Sequence, residues 1–566
     1  MQSEIKEEKS SPLNRKDVPP ANEDDQQKFW KELRHFYRTG EKPDNSSING
    51  LSSIFCDKLA IQSNPYPISF EKEKIDFSSF TTNHIIDTYL SVYQSNIISQ
   101  FKYKLKTVIT SLSRILDIET ADASSSEGYD FASEIIAFDK LSKLVPKHSG
   151  PALSASRKNR LQEVLDLLND GLHQYQTAQA VLLTTPKYGD QQGFKRFQQI
   201  NVKENTAVKE TKKLLEKQLT TFVELMKAFR IASLEVEDDY DEKIHDDYFT
   251  HFTWYRLSNV EKVIFRPIIL QIDHQLIMQQ LDDLSELLST NWPIKLLVMN
   301  HLLVSEPVAT ISWEEASHRY RPELAALTVA HRNVATYQLT TTDPGALIET
   351  IQNWIQMTQP AMMHLLVPND ENEFINVKAA VYGRYFPTMT YNLSGEQSAP
   401  SKWKIDQNPD PVKKWPLITF EIAVNDKIIQ QPIAFTYADY KAFFNSKLNE
   451  LMLVPPAYDS DYLVSLSSYM ELSQEELIGK IPYIWLVDEG HNLHRAAVPN
   501  VWVVSCQERL DNWNFLQEMA GSSSTVVLKS DDQVEPEISE DQLKVIKEEA
   551  TRTAATRLIN ELLSEA

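Results

Sequence analysis

Cysteine is nearly missing from this 566-residue chain, where only Cys56 and Cys506 occur. Two lone thiols exclude a disulfide framework, a cysteine-built zinc site and a ferredoxin-type cluster on this polypeptide. Glycine is scarce as well, with 13 residues, whereas loops that cradle phosphate groups use glycine freely. No GxGxxG, Walker A, GxSxG or HExxH pattern is present. Positive charge is in deficit. A net charge of −22 argues against nucleic acid or an anionic membrane surface as the main partner, because both require a concentrated positive field. No uninterrupted apolar run reaches ~18 residues, and residues 1–8 lack the apolar core of a signal peptide. A soluble cytoplasmic protein without membrane insertion is the expectation.

What is present suffices for two or three cores, since 42% of residues are hydrophobic and 10% aromatic. Residues 1–27 are polar enough to read as disordered. Residues 28–234 read as a helical domain. Its helices are expected over 84–118, with Ile86, Leu90, Tyr93, Ile97, Phe101, Leu105, Ile109, Leu112 and Leu116 at three- or four-residue steps, then over 156–182 and 204–232. The acidic stretch from Glu235 to Asp247 fits no EF-hand spacing and reads as a solvated connection.

Residues 235–375 alternate buried apolar runs with amphipathic helices. Strands are expected at Val263–Ile272, Pro293–Asn300, Val334–Leu339 and Ala361–Val367. Helices are expected over Leu276–Ser289, from the cap Ser312 to Ala330 with a break at Pro322, and from Pro344 behind the cap Asp343 through Gln356. This alternation predicts a doubly wound parallel sheet. Residues 376–566 read as a mixed α+β extension. It contains a hairpin of Ile481–Val487 with Asn492–Val498, a strand Val501–Cys506, a helix Glu508–Ala520 and a closing helix capped by Ser539 that could dock on another protomer. His491 and His494 in the hairpin turn have no third ligand at a recognisable spacing, and Cys506 has no base motif beside it.

The segments Ile268–His274 and Pro293–Asn300, followed by Glu306–Ala309, resemble the thiamine-diphosphate-binding domain of pyruvate:ferredoxin (2-oxoacid:ferredoxin) oxidoreductases. The resemblance covers roughly residues 225–566. It implies a thiamine-diphosphate-binding-like α/β fold with cofactor-binding positions at Asp273, Asn300, Ser305 and Glu306, of which Asp273 and Glu306 are the metal ligands. The motifs depart from the family's. Ile272 and His274 flank Asp273 where the family has glycines, Glu306 replaces an Asn, and Pro307, Val308 and Ala309 replace Thr-Gly-Gly. Pro307 has no N–H for a phosphate, and Val308 resists positive φ. The family's activating Glu domain and its cluster cysteines are also missing from this chain. The site therefore reads as vestigial, with no cofactor expected and no activity expected of the chain alone. The resemblance implies a non-catalytic accessory, assembly or regulatory subunit with a protein partner or a second copy of itself. Two alternatives stand beside it: a thiamine diphosphate- and Mg²⁺-binding subunit of a split 2-oxoacid:ferredoxin oxidoreductase, and a helical scaffold of an unrelated system.

Overall fold

Six strands pair in parallel, and all but one are buried along almost their whole length. They are β1 (Ala180–Thr184), β2 (Phe197–Asn201), β3 (Ile268–Asp273), β4 (Ile294–His301), β5 (Ala335–Thr340) and β6 (Ala361–Val367). The lateral order is β2-β1-β3-β4-β6-β5. Two short antiparallel strands, β7 (Met389–Tyr391) and β8 (Trp403–Lys404), extend the sheet beyond β5. The exception is β2, an edge strand whose Gln198 is exposed and Gln199 half-buried. This computed structural model describes residues 22–522 except 43–47, 49, 63–67, 71–72, 76–78, 91–94, 125–152, 176–179, 189–195, 302–319, 369–373, 394–399, 425–426 and 490–491.

Both faces of the sheet are covered, as continuous apolar strands require. Val181, Leu183, Leu270, Ile272, Leu296 and Val298 face a core shared with the helices Ser95–Ser124, Ala155–Gln174 and Ala207–Val236. Alternate residues Leu182, Ile269, Leu297, Met299, Leu365 and Val367 face a second core with Ser79–Tyr89 and Pro344–Gln356. The Pro344 helix begins where the cap chemistry places it, with Asp343 Oδ1 accepting from Ala346 N at 3.0 Å.

Several expectations are corrected. The N-terminal region is not all helical, because β1 and β2 lie within it. The helix expected through Leu182 ends at Gln174, and Ala180–Thr184 turns into the sheet. Its short apolar run fits either periodicity, and pairing with β3 decides for strand. The helix expected over 84–118 is two, Ser79–Tyr89 and Ser95–Ser124, each packing a different face. Order begins before residue 28: Glu23–Thr39 is a helix in which Asn22 accepts from the Asp24 and Asp25 N–H groups. The acidic first turn that looked like a disordered tail complements the helix dipole. Nor is the acidic stretch wholly solvated. Glu235 is 2% exposed and accepts from Arg157 Nε at 2.8 Å and from Arg160 Nη2 at 2.8 Å.

In the C-terminal region the hairpin is present as Ile481–Asp488 with Leu493–Ala497. The expected strand Val501–Cys506 is helical, part of one helix over Asn500–Met519. Its buried residues Trp502, Cys506, Leu510, Trp513 and Leu516 recur every three or four positions, so the full-length period overrides the β-branched start. N-terminal residues close this region: Leu33 and Phe36 pack against Met452, Val454, Ile481 and Ala497. The helices expected from Ser312 and Ser539 start outside the described residues, although Leu324–Val329 is helical.

Candidate functional site

Chain order and lateral order together locate the crevice of a doubly wound sheet. From β1 the chain moves outward to β2, and from β3 it moves the other way to β4. Ligands bind such sheets at the carboxyl ends of the two strands whose connections diverge. Here those ends carry Lys187 and Tyr188 beyond β1, and Asp273 closing β3.

Asp273 is fully engaged. Its Oδ2 accepts from Lys187 Nζ at 2.5 Å, and its Oδ1 accepts from Gln275 N at 2.9 Å, which caps the helix His274–Met278. The strand passes directly into that helix, so a capping side chain is needed at this position and an Asp supplies it. Beside the pair, Tyr188 stacks on His301 with ring centroids 6.4 Å apart, and burial raises the Tyr188 phenol above its ordinary range. Ile272 is fully buried in the core, and His274 begins the helix, so neither flank of Asp273 forms an open backbone cradle.

The expected site is only partly assembled. Asn300 lies at the end of β4 and is 6% exposed. The ladder pairs Asp273 with Met299, so Asn300 projects from the opposite face of the sheet. Ser305 and Glu306, with Pro307 to Ala309, lie outside the described residues, as does His491. His494 pairs with Asp488 at 3.1 Å, and Cys506 is buried, which pushes its thiol up to about 12. Among the described residues no group of three His, Cys, Asp or Glu side chains is placed to hold a metal.

The opposite face carries what the sequence did not single out. His364, 1% exposed in the middle of β6, stacks on His274 with centroids 4.9 Å apart. Its Nδ1 meets Gln338 Oε1 at 3.1 Å, while Gln338 Nε2 donates to Pro387 O at 2.8 Å. Gln338 Oε1 is thus an acceptor, His364 Nδ1 carries the proton, and Nε2 keeps its lone pair. Burial, with the nearby Arg321 guanidinium adding to it, lowers both imidazole pKa values, that of His274 to about 4. Arg321 lies over the Tyr385 ring at 4.5 Å. The signal that could have exposed this cluster is the single polar residue inside the apolar run Ala361–Val367.

At the amino ends of the strands a shallow, open pocket is lined by Tyr89, Phe265, Lys295, Gln356 and their neighbours. Burial lowers the Lys295 pKa to about 7, while Nζ donates to the carbonyls of Pro293 at 3.1 Å and Met357 at 2.7 Å. Those bonds tie the turn before β6 to the start of β4, a structural role.

No family model matches the chain, and no curated protein matches it either. What is established is a mixed α/β protein whose central sheet is largely parallel, and among the described residues no helix is long and apolar enough to cross a membrane.

Proposed function

We propose that this chain is a non-catalytic accessory, assembly or regulatory subunit related to the thiamine domain of 2-oxoacid:ferredoxin oxidoreductases. The observation that carries the reading is the Lys187–Asp273 pair. If Asp273 is the inherited metal-binding position, an ammonium group now stands 2.5 Å from the oxygen a Mg²⁺ would take, and the other oxygen caps a helix. Thiamine diphosphate and Mg²⁺ do not fit this arrangement, because the cation's position is filled and the backbone beside it offers no cradle. The parallel, doubly wound sheet supports the resemblance at the level of architecture. A protein partner or a second copy in the cytoplasm is the expected setting, and nucleic acid is not, given the net charge of −22.

The split-enzyme alternative requires Asp273 to leave Lys187 and ligate metal. The alternative's activating Glu and clusters would lie on partner chains, so cofactor binding, not turnover, tests the choice. Equilibrium dialysis of the full chain against thiamine diphosphate with Mg²⁺ is expected to show no retained cofactor. Retention that is abolished in Asp273→Ala would establish the alternative.

A further inference from the structure

Four buried nitrogen atoms have no hydrogen-bond partner in the chain: His364 Nε2, His274 Nδ1, Asn300 Nδ2 and Arg321 Nη1. His364, His274 and Arg321 belong to one neighbourhood, and Asn300 shares a sheet face with His364. The two imidazoles stack, and the Arg321 charge acts on both. Asn300 lies two residues beyond Val298, the register partner of His364, and so shares its face one step nearer the carboxyl end. Each unsatisfied buried polar group costs about 1–3 kcal/mol, so four together mark a place built for an occupant.

The chemistry of the four selects that occupant. A guanidinium beside two imidazoles repels a metal cation. Arg321 Nη1 and Asn300 Nδ2 are donors and need acceptor oxygens, whereas His364 Nε2 is an acceptor and needs a hydroxyl. The nearby carboxylates are already paired, Asp273 with Lys187 and Glu323 with Arg509 at 2.7 Å, and Arg321 Nε lies 3.9 Å from Glu323 Oε1. We infer that Asn300, His364, His274 and Arg321 bind a small oxyanion that retains a hydroxyl, of the hydrogen-phosphate type. Arg321 and Asn300 hold its charged oxygens, and its O–H donates to His364. This site is separate from the Lys187–Asp273 pair and does not depend on the thiamine reading.

Calorimetric titration of the full chain with inorganic phosphate, and in parallel with acetate, tests the inference. Phosphate is expected to bind saturably at one site, and Arg321→Gln and Asn300→Leu are each expected to weaken it at least tenfold. Acetate, which has no hydroxyl at neutral pH, is expected to show no saturation. Asn300→Leu removes an unsatisfied buried amide and should fold with unchanged or higher stability, so it keeps the test open if Arg321→Gln does not fold. Absence of saturable phosphate binding, or binding unaltered in a folded Asn300→Leu variant, would overturn the site. Saturable acetate binding as tight as phosphate's would overturn the hydroxyl requirement.

Discussion

Leu105→Asp is expected to destabilise the protein by about 5 kcal/mol, whereas Tyr103→Asp on the same helix should change stability by less than about 0.5 kcal/mol. Leu105 is fully buried in the core between the helices and the sheet, and Tyr103 is 75% exposed. The large loss combines the leucine's burial with the desolvation of a carboxylate in an apolar core. Urea denaturation of the two variants measures the difference directly. Equal stability would mean that the apolar stripe of Ser95–Ser124 does not face this core.

The second large effect is expected at Glu235. Glu235→Ala leaves Arg157 and Arg160 without the buried carboxylate they share, and removing one partner of a buried ion pair costs ~3–5 kcal/mol. Their other contacts, to Asp238 at 3.2 Å and Glu242 at 3.1 Å, are more exposed and compensate little. Glu235→Leu should recover part of the loss through packing, yet still leave both arginines without their buried carboxylate. A melting temperature unchanged in Glu235→Ala would show that water already solvates both arginines.

The sequence made the middle of the sheet legible because its signals are local. Asp343-Pro344 announces a helix start within two residues, and the runs at Ile294 and Ala361 are long, apolar and bounded by prolines. Ala180–Thr184 and Val501–Cys506 failed for the same reason in opposite directions. A short apolar run carries no period of its own: pairing with β3 decided the first, and the period of the whole helix Asn500–Met519 around Trp502 decided the second. The candidate site was half legible. Asp273 was singled out through the resemblance, as a metal-binding position, but Lys187 is 86 residues away in sequence, and nothing local marks it as Asp273's partner. Asn300 was singled out at the right strand end, while its face follows from the register Asp273–Met299, which only strand pairing fixes. His364 and Arg321 come together through the fold alone.

The proposal that Asp273 is a vestigial cofactor position is tested most directly by calorimetric titration of the full chain with thiamine diphosphate in excess Mg²⁺. Losing even two charge-assisted hydrogen bonds of about 1.5–3 kcal/mol each weakens diphosphate binding by roughly two to four orders of magnitude. The account predicts no saturable heat from the wild-type chain. A dissociation constant in the micromolar range that disappears in Asp273→Ala would contradict it, showing that Asp273 exchanges Lys187 for metal and that the site is live.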